Sequence, residues 1–538
     1  MSPLARTTIA VLAVTAAAAC SRGKKCDRCD TLVISATGEP SSLLPPLVVE
    51  TVGRDISDQV FERLADLMPG RAPIDLSAYT PRLAERWERA DSLTWRFHLR
   101  QGARWSDGEL VTAEDVVFSF DAFSDSAFDS PARPYLAGKL RVTALDPSTV
   151  SIAFTRAYPE QLYDATYHVR VIPRHIWSAI PRDEWTADTS LKHLIGTGPY
   201  KISQWKRGQS LTLESVATGG HASIPHVLWR FSADPDAALD LVLSHEADLM
   251  EAVPAPARSR VDADKALWAV RYPSAAYGFL GYQVNGASGP HAILGNRAVR
   301  RALNVAVDRA GIARAAYGED VKVPPGPMSQ LLWIWDDSIH SLGYDTTEAS
   351  RLLDQAGWRR GKDGVRIKAG TRLAFDILVP GTSPTRKQLA EALQESWRRA
   401  GVAVSVTAVD FPVFQQRLAQ EKFDTYIGAW LDEPSPRGLA DQWTHAGWGA
   451  LNYGHYDNPK FDSLFQRAVN EGDLARARTA WRTAMDTLNA DAPALFLYAP
   501  TNVAAVATRV QHVAIDPYSW LSGMTGWSLA PAPAHAAR

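Results

Sequence analysis

Apolar and polar positions alternate along Thr94 to Leu99 (T-W-R-F-H-L), which places Trp95, Phe97 and Leu99 on one face of a strand. The β-branched run Thr31 to Ser35 predicts an earlier strand, ended by the turn-prone Gly38-Glu39-Pro40. Gln101-Gly102 and Ser106-Asp107-Gly108 read as turns. Thr112-Ala-Glu-Asp115 has the form of a capping box with Asp at N3, so the helix it opens is expected to bury Val116, Val117 and Phe120. Tyr200 to Gln204 and Leu211 to Val216 flank Lys206-Arg207-Gly208-Gln209 and predict a hairpin. From Asn296 the spacing becomes helical. Val299, Leu303, Val307 and Ala310 share one face, which predicts a helix capped by Asn296 and ended by Gly318. Two more helices are expected at Glu348 to Ala356, stopped by Gly357, and at Pro384 to Ala400, stopped by Gly401. Strand Val402 to Val409 follows, then a helix near Phe411 to Gln420 and a strand at Phe423 to Trp430. Leu495 to Tyr498 reads as a late strand, and Ala530 to Arg538 as a disordered tail. This alternation argues for the α/β class.

Length adds a domain expectation. At roughly 150 residues per domain, the 538-residue chain has room for three or four. Charge adds little: 57 Lys+Arg against 59 Asp+Glu leaves −2, with no global attraction for nucleic acid. Hydrophobic residues at 46% and charged residues at 22% describe a folded protein and exclude disorder as the main theme. Eighteen tryptophans are an excess, and the three cysteines all fall within the first 29 residues.

The front of the chain reads as an address. Arg6 precedes an apolar run from Ile9 to Ala19, about 11 residues against the roughly 20 a spanning helix needs. The run ends in Ala17-Ala18-Ala19-Cys20, which resembles the lipobox of bacterial lipoproteins, with Ala17 where that motif usually carries Leu. The resemblance implies a signal peptide over 1–19, a lipid on Cys20 and a tether over 20–29. An ordinary signal peptide cut after Ala19, or an uncleaved anchor, are the other readings. Cys26 and Cys29 (C-D-R-C) lack the strand–helix setting of a redox motif and a second pair for zinc, so they read as a small disulfide or two tolerated thiols.

Signatures of catalysis are missing. Gly196-Thr-Gly198 lacks the third glycine of a dinucleotide loop and is followed by Pro199. Gly357 to Asp363 is a residue short of a phosphate loop, no G-x-S-x-G is present, and His245-Glu246 has no second histidine. His221, His226, His445 and His455 read as loop or polar-core positions rather than metal ligands. No catalytic residue, metal or cofactor is expected, which favours binding over chemistry.

Several stretches together carry a resemblance. Leu83 to Asp121 (L-A-E-R-W-E-R-A-D-S-L-T-W-R-F-H-L-R-Q-G-A-R-W-S-D-G-E-L-V-T-A-E-D-V-V-F-S-F-D) closely resembles the marker segment of family 5 extracellular solute-binding proteins, the oligopeptide and dipeptide receptors of bacterial ABC importers. Gly196 to Gln204, Glu246 to Pro254 (E-A-D-L-M-E-A-V-P), Asn296 to Ile312, Ala349 to Trp358 and Asn452 to Leu464 continue in family order, so the resemblance spans about 31–525. It implies a type II periplasmic binding protein fold: two lobes closing on a ligand, plus an extra domain. Domain I would comprise 30–56, 190–278 and 490–538, domain II 57–189, and domain III 279–489, with hinge crossings near Tyr277–Tyr282 and Leu488–Leu495. The implied function is capture of a peptide and delivery to an ABC permease in the cytoplasmic membrane. The receptor would be an exported, lipid-anchored monomer with no nucleic-acid partner. The same fold binding a nickel chelate, haem, an opine or an oligosaccharide is the alternative, and a secreted hydrolase is the reading from another class.

The resemblance also nominates residues. In peptide-binding relatives, an aspartate in a G-W-x-x-D-x-x-D-P-like segment pairs with the peptide's α-ammonium. Here Gly428-Ala-Trp430-Leu-Asp432-Glu-Pro-Ser435-Pro436 matches the first aspartate at Asp432, one residue closer to the tryptophan, and places Ser435 at the second. A ligand contact or a loop cap are both open for Asp432, and a pocket wall or a core role for Trp430. Glu39 falls in the stretch that lines the cleft in the family. Trp443 and Trp448 either line side-chain pockets or pack. Arg82 and Trp87 are expected to pack between domains.

Overall fold

A computed structural model of the chain describes residues 29–216, 222–285 and 289–530. The leader, Cys20, Cys26, His221 and the tail over 531–538 lie outside the described residues. Cys29 is disulfide-bonded. Among the described residues no helix is long and apolar enough to cross a membrane.

Two large sheets form two lobes. A seven-stranded sheet has the spatial order Leu267–Pro273, Thr501–Ala507, Leu249–Met250, Thr31–Thr37, His226–Ser232, Ser210–Ser215, Tyr200–Lys206. A five-stranded sheet runs Ala403–Val409, Ala374–Pro380, Thr425–Leu431, Ala276–Tyr282, Ala494–Tyr498. A separate four-stranded antiparallel sheet, Ala84–Arg89, Thr94–Leu99, Thr149–Phe154, Leu140–Asp146, carries the extra domain. Trp95, Phe97 and Leu99 are buried there beneath helix Ala113–Ser124, whose Thr112/Asp115 capping box is formed. Val116 and Phe120 are buried as expected, while Val117 is only half-buried. The mixed α/β architecture, with two lobes and an extra domain, is the one the sequence implies.

The chain passes between the lobes at two adjacent points. Strand Leu267–Pro273 belongs to the seven-stranded sheet and Ala276–Tyr282 to the five-stranded one, so the first crossing is Ser274-Ala275. Strands Ala494–Tyr498 and Thr501–Ala507 place the second at Ala499-Pro500. Ser274 N donates to Pro500 O at 3.0 Å, tying the crossings together. The expected hinge segments are therefore displaced: Tyr277–Tyr282 lies inside a strand, and Leu488–Leu495 spans a helix end and a strand start. Apolar strand residues are as buried at a lobe boundary as inside a lobe, so hydrophobicity alone does not mark the crossing.

Local signals and tertiary demands meet at several points. Helix Pro384–Ala400 ends at Gly401 in the left-handed region (φ 86°) and leads into Ala403–Val409, parallel to Ala374–Pro380. The single helix expected from Asn296 to Gly318 is instead two, Arg297–Val305 and Arg309–Tyr317. Asp308 breaks it, because its carboxylate accepts from Gly311 N at 3.0 Å and caps a new helix. Within E-A-D-L, Asp248 accepts from Val33 N at 2.9 Å and from Arg509 through both oxygens at 2.7 Å, stitching three distant segments of one lobe. The tryptophan excess is largely core: Trp105, Trp177, Trp185, Trp229, Trp397, Trp481 and Trp527 are essentially fully buried.

Gly196 shows why a glycine pair stands where no nucleotide loop does. A Cβ there would lie 1.8 Å from Val60 O, and Gly198 N donates to that same carbonyl at 2.8 Å. Both contacts are backbone, which cannot rotate away. Gly196→Ala is expected to destabilise the protein by at least about 2 kcal/mol, read as a lowered midpoint in urea.

Candidate functional site

A cavity of about 480 Å³ lies between the lobes, beside the first crossing. Its floor is formed by Ser35, Ala36 and Thr37 at the carboxyl end of the first strand and by Met250 and Glu251, at and just beyond the end of its parallel neighbour. Ligands in open α/β sheets collect at such strand ends. Ser274 and Ala275 of the crossing form part of the wall, and the opposite lobe contributes Leu431, Asp432 and Glu433, at and just after the end of Thr425–Leu431. Trp229, Tyr518 and Trp520 supply aromatic surface. A volume of this size is on the scale of small-ligand sites, roughly 300–1,000 Å³.

Asp432 is held in place by backbone. Its N–H donates to Ala275 O at 2.8 Å, and its Oδ2 accepts from Ser329 N at 2.6 Å. Burial pushes its carboxyl up to about 7, and the Ser329 hydrogen bond only partly opposes that rise. Glu251, on the other lobe, is likewise pushed up to about 7 by burial, with the Tyr272 hydroxyl donating at 3.4 Å. Asp55 is 5% exposed and is raised well above the usual carboxylate range by burial and then by the charge of Glu251. Its Oδ2 accepts from Trp520 Nε1 at 2.6 Å.

Raised carboxyls make the fold sensitive to pH. Asp432 and Glu251 titrate near 7 in the fold and near 4 in an unfolded chain. Between those values the folded state binds more protons, so the contribution of these two acids to stability is fully present below about pH 4 and declines as pH rises towards 7. Each pH step of one across that window costs about 1.4 kcal/mol per group, so the two acids together are expected to weaken the ligand-free fold by several kcal/mol. Depressed acids such as Asp58, held down by Arg170 and Arg63 against its burial, lose their contribution only below pH 4 and do not offset this. Urea unfolding of ligand-free protein at pH 5 and pH 8 reads the slope; greater stability at pH 8 would contradict it.

The other nominated residues lie elsewhere. Both oxygens of Glu39 are engaged away from the cavity, accepting from Trp205 Nε1 at 2.7 Å and Gly208 N at 2.8 Å. It anchors the Tyr200–Ser215 hairpin. Trp430 is half-buried behind Asp432, stacked against Phe279 and Tyr453. Trp443 is buried and donates to the Tyr277 hydroxyl at 3.1 Å. Trp448 is sandwiched by His445 and His455 and donates to Tyr456 O. Arg82 pairs with Asp66, and Trp87 packs on Phe97 within the extra domain rather than between domains. His226 lies in a strand near Asp30.

Ser435 joins a charged cluster between lobe and extra domain. Its hydroxyl donates to Glu160 Oε2 at 2.5 Å, and Arg437 reaches Glu160 at 2.6 Å and Asp164 at 2.5 Å. His168 and the Tyr158 hydroxyl complete the shell around Asp164. Burial alone would raise Asp164, but the His168 hydrogen bond and the Arg437 charge hold it well below the usual range. Sequence reading missed Asp55, Glu251 and this cluster. Glu251 lies inside the E-A-D-L-M-E-A-V-P motif, but nothing local separates it from the neighbouring acid Glu246, which pairs with Arg230 at the surface.

The comparisons agree with this geometry. The profile described as bacterial extracellular solute-binding proteins, family 5 Middle, matches residues 78–450. Protein XP55 of Streptomyces lividans is 27% identical over 516 residues, covering 92% of this chain and 86% of that protein. The dipeptide-binding protein of Escherichia coli K12 is 24% identical over 527 residues, covering 90% and 92%. The solved oligopeptide-binding protein AppA from Bacillus subtilis, in complex with a nonapeptide, superposes with a TM-score of 0.73 at 22% identity, covering 93% of this chain and 99% of that one. A two-lobed fold with a cavity at its crossings, and a family match over most of its length, make this chain a member of the family 5 bacterial extracellular solute-binding proteins.

Proposed function

We propose that the protein is the exported solute receptor of an ABC importer and that it encloses a peptide between its two lobes. One observation carries the reading: Asp432, partly buried, its backbone N–H bonded to Ala275 O and its carboxyl to Ser329 N, stands in the interlobe cavity beside the crossing. A desolvated carboxylate there offsets the lost hydration of a peptide's α-ammonium. The floor adds a backbone partner. The ladder from Thr31–Thr37 to Leu249–Met250 ends at Ser35, while Ala36 and Thr37 continue along the cavity. An extended peptide can pair with that edge independently of its side chains. Contacts made to both lobes exist only in the closed form, so ligand binding favours closure about Ser274-Ala275 and Ala499-Pro500. The names of the dipeptide- and oligopeptide-binding relatives support a peptide over other solutes. The reading assigns no reaction. An ABC permease is the partner, and Cys20 carries the lipid anchor. Loss of membrane association in Cys20→Ala tests the anchor.

The decisive experiment recovers the protein under native conditions and identifies its co-purified small molecules by mass spectrometry. A ladder of peptide masses is expected. A single sugar, haem or metal chelate in its place would sink the peptide reading.

A further inference from the structure

We propose that the cavity selects peptides bearing a second cation, a lysine- or arginine-type side chain, which Glu251 and Asp55 receive on the seven-stranded lobe while Asp432 holds the α-ammonium on the other. This rests on the peptide reading above and names the class of peptide.

Charge on the wall is lopsided. Asp55, Glu251, Asp432 and Glu433 line the cavity against a single guanidinium, Arg54, which is exposed and donates to Thr51 Oγ1 at 3.4 Å. One α-ammonium satisfies one carboxylate and leaves Asp55 and Glu251, on the other lobe, with only the charge of the exposed Arg54, which acts on both without forming an ion pair with either. Elsewhere the protein gives buried acids their own cations: Asp58 pairs with Arg63 and Arg170, Asp164 with Arg437, and Asp248 with Arg509. Among the described residues, no ion pair is made by any of the four cavity acids. Asp55 is buried to 5% exposure and has only the Trp520 indole as a described hydrogen-bond partner, and Glu251 has only the long bond from the Tyr272 hydroxyl. A neutral donor offsets only part of the cost of burying a carboxylate, whereas a ligand cation offsets most of it. A further polar group is also left open: the shielded Tyr518 hydroxyl on the same wall has no hydrogen-bond partner among the described residues. The acids on the two lobes meet only across the cavity, so a ligand with two separated cations also spans the closure.

Calorimetry on the mature chain tests this with Lys-Ala-Ala, Ala-Lys-Ala and Ala-Ala-Lys, each against its norleucine counterpart, which keeps the aliphatic stem and lacks the amine. At one or more positions the lysine peptide is expected to bind about tenfold tighter or better. Glu251→Gln and Asp55→Asn are each expected to reduce that ratio at least about threefold, a coupling that a general loss of fold would not produce. Norleucine peptides binding as tightly as lysine peptides at every position would overturn the inference while leaving the peptide reading standing. So would substitutions that weaken both series equally. Should neither series bind, 1,5-diaminopentane separates the two ideas. Its binding would keep the dication site and overturn the peptide reading; no binding would overturn both. If a substituted chain fails to fold, the lysine-to-norleucine ratio of the unsubstituted protein still decides.

Discussion

Arg437→Met is expected to destabilise the protein by about 3–5 kcal/mol, because it removes one partner of a buried ion cluster and strands the others. Arg437 follows the cavity segment of the five-stranded lobe, while Glu160 and Asp164 belong to the extra domain. Their side chains are 16%, 4% and 2% exposed, so solvent cannot take over the role of the guanidinium. The Ser435 and Tyr158 hydroxyls remain and the His168 ring still meets Asp164, but Glu160 loses its ion-pair partner and would then have to protonate or drag water inward. Urea unfolding measures the loss, and small-angle scattering of ligand-free protein measures whether the extra domain and lobe separate. Adding Glu160→Gln and Asp164→Asn to Arg437→Met is expected to recover much of the stability, since the stranded charges go with the partner. A stability unchanged by Arg437→Met would show that the cluster is solvated in solution.

Asp432→Asn is expected to weaken a free-amino peptide by about 100-fold or more, and its N-acetylated form far less. Truncating a buried, hydrogen-bonded charge pair costs about 2–5 kcal/mol, and every 1.4 kcal/mol is tenfold. Asparagine keeps the oxygen that accepts from Ser329 N, so the segment stays placed and only the charge is lost. The pH profile gives a second check. Asp432 titrates near 7 in the ligand-free protein, so affinity falls as pH drops below that value. A peptide's amino group loses its proton above about 8, so affinity falls again at alkaline pH. Asp432→Asn removes the acid limb. Calorimetry across pH 5 to 9 reads both, and equal losses for the free and acetylated peptides would refute the ammonium pairing.

What could be read without coordinates follows the range of the forces involved. The Thr112/Asp115 box, the Pro384–Ala400 helix with its Gly401 stop, and the hairpin around Gly208 depend on residues within a few positions of one another. Period and capping are visible in such windows. Ordered motifs from Leu83 to Leu464 identified the family for the same reason. Asp432 was reachable because its segment carries a local motif, although its neighbour Ser435 proved to serve the Glu160–Arg437 cluster instead. The break at Asp308 was missed because Val307 and Ala310 continue the apolar period while a side-chain cap ends the helix.

The amino-acid sequence by itself determined the α/β class, the family and most element identities, since propensity, capping and apolar period act between near neighbours. Only the tertiary structure decided where the lobes exchange chain, that Glu39 braces a hairpin, and that Asp55, Glu251 and Asp432 share one cavity. Those facts depend on which distant segments are desolvated together, and burial of a charge is a property of the assembled surroundings rather than of the residue that carries it.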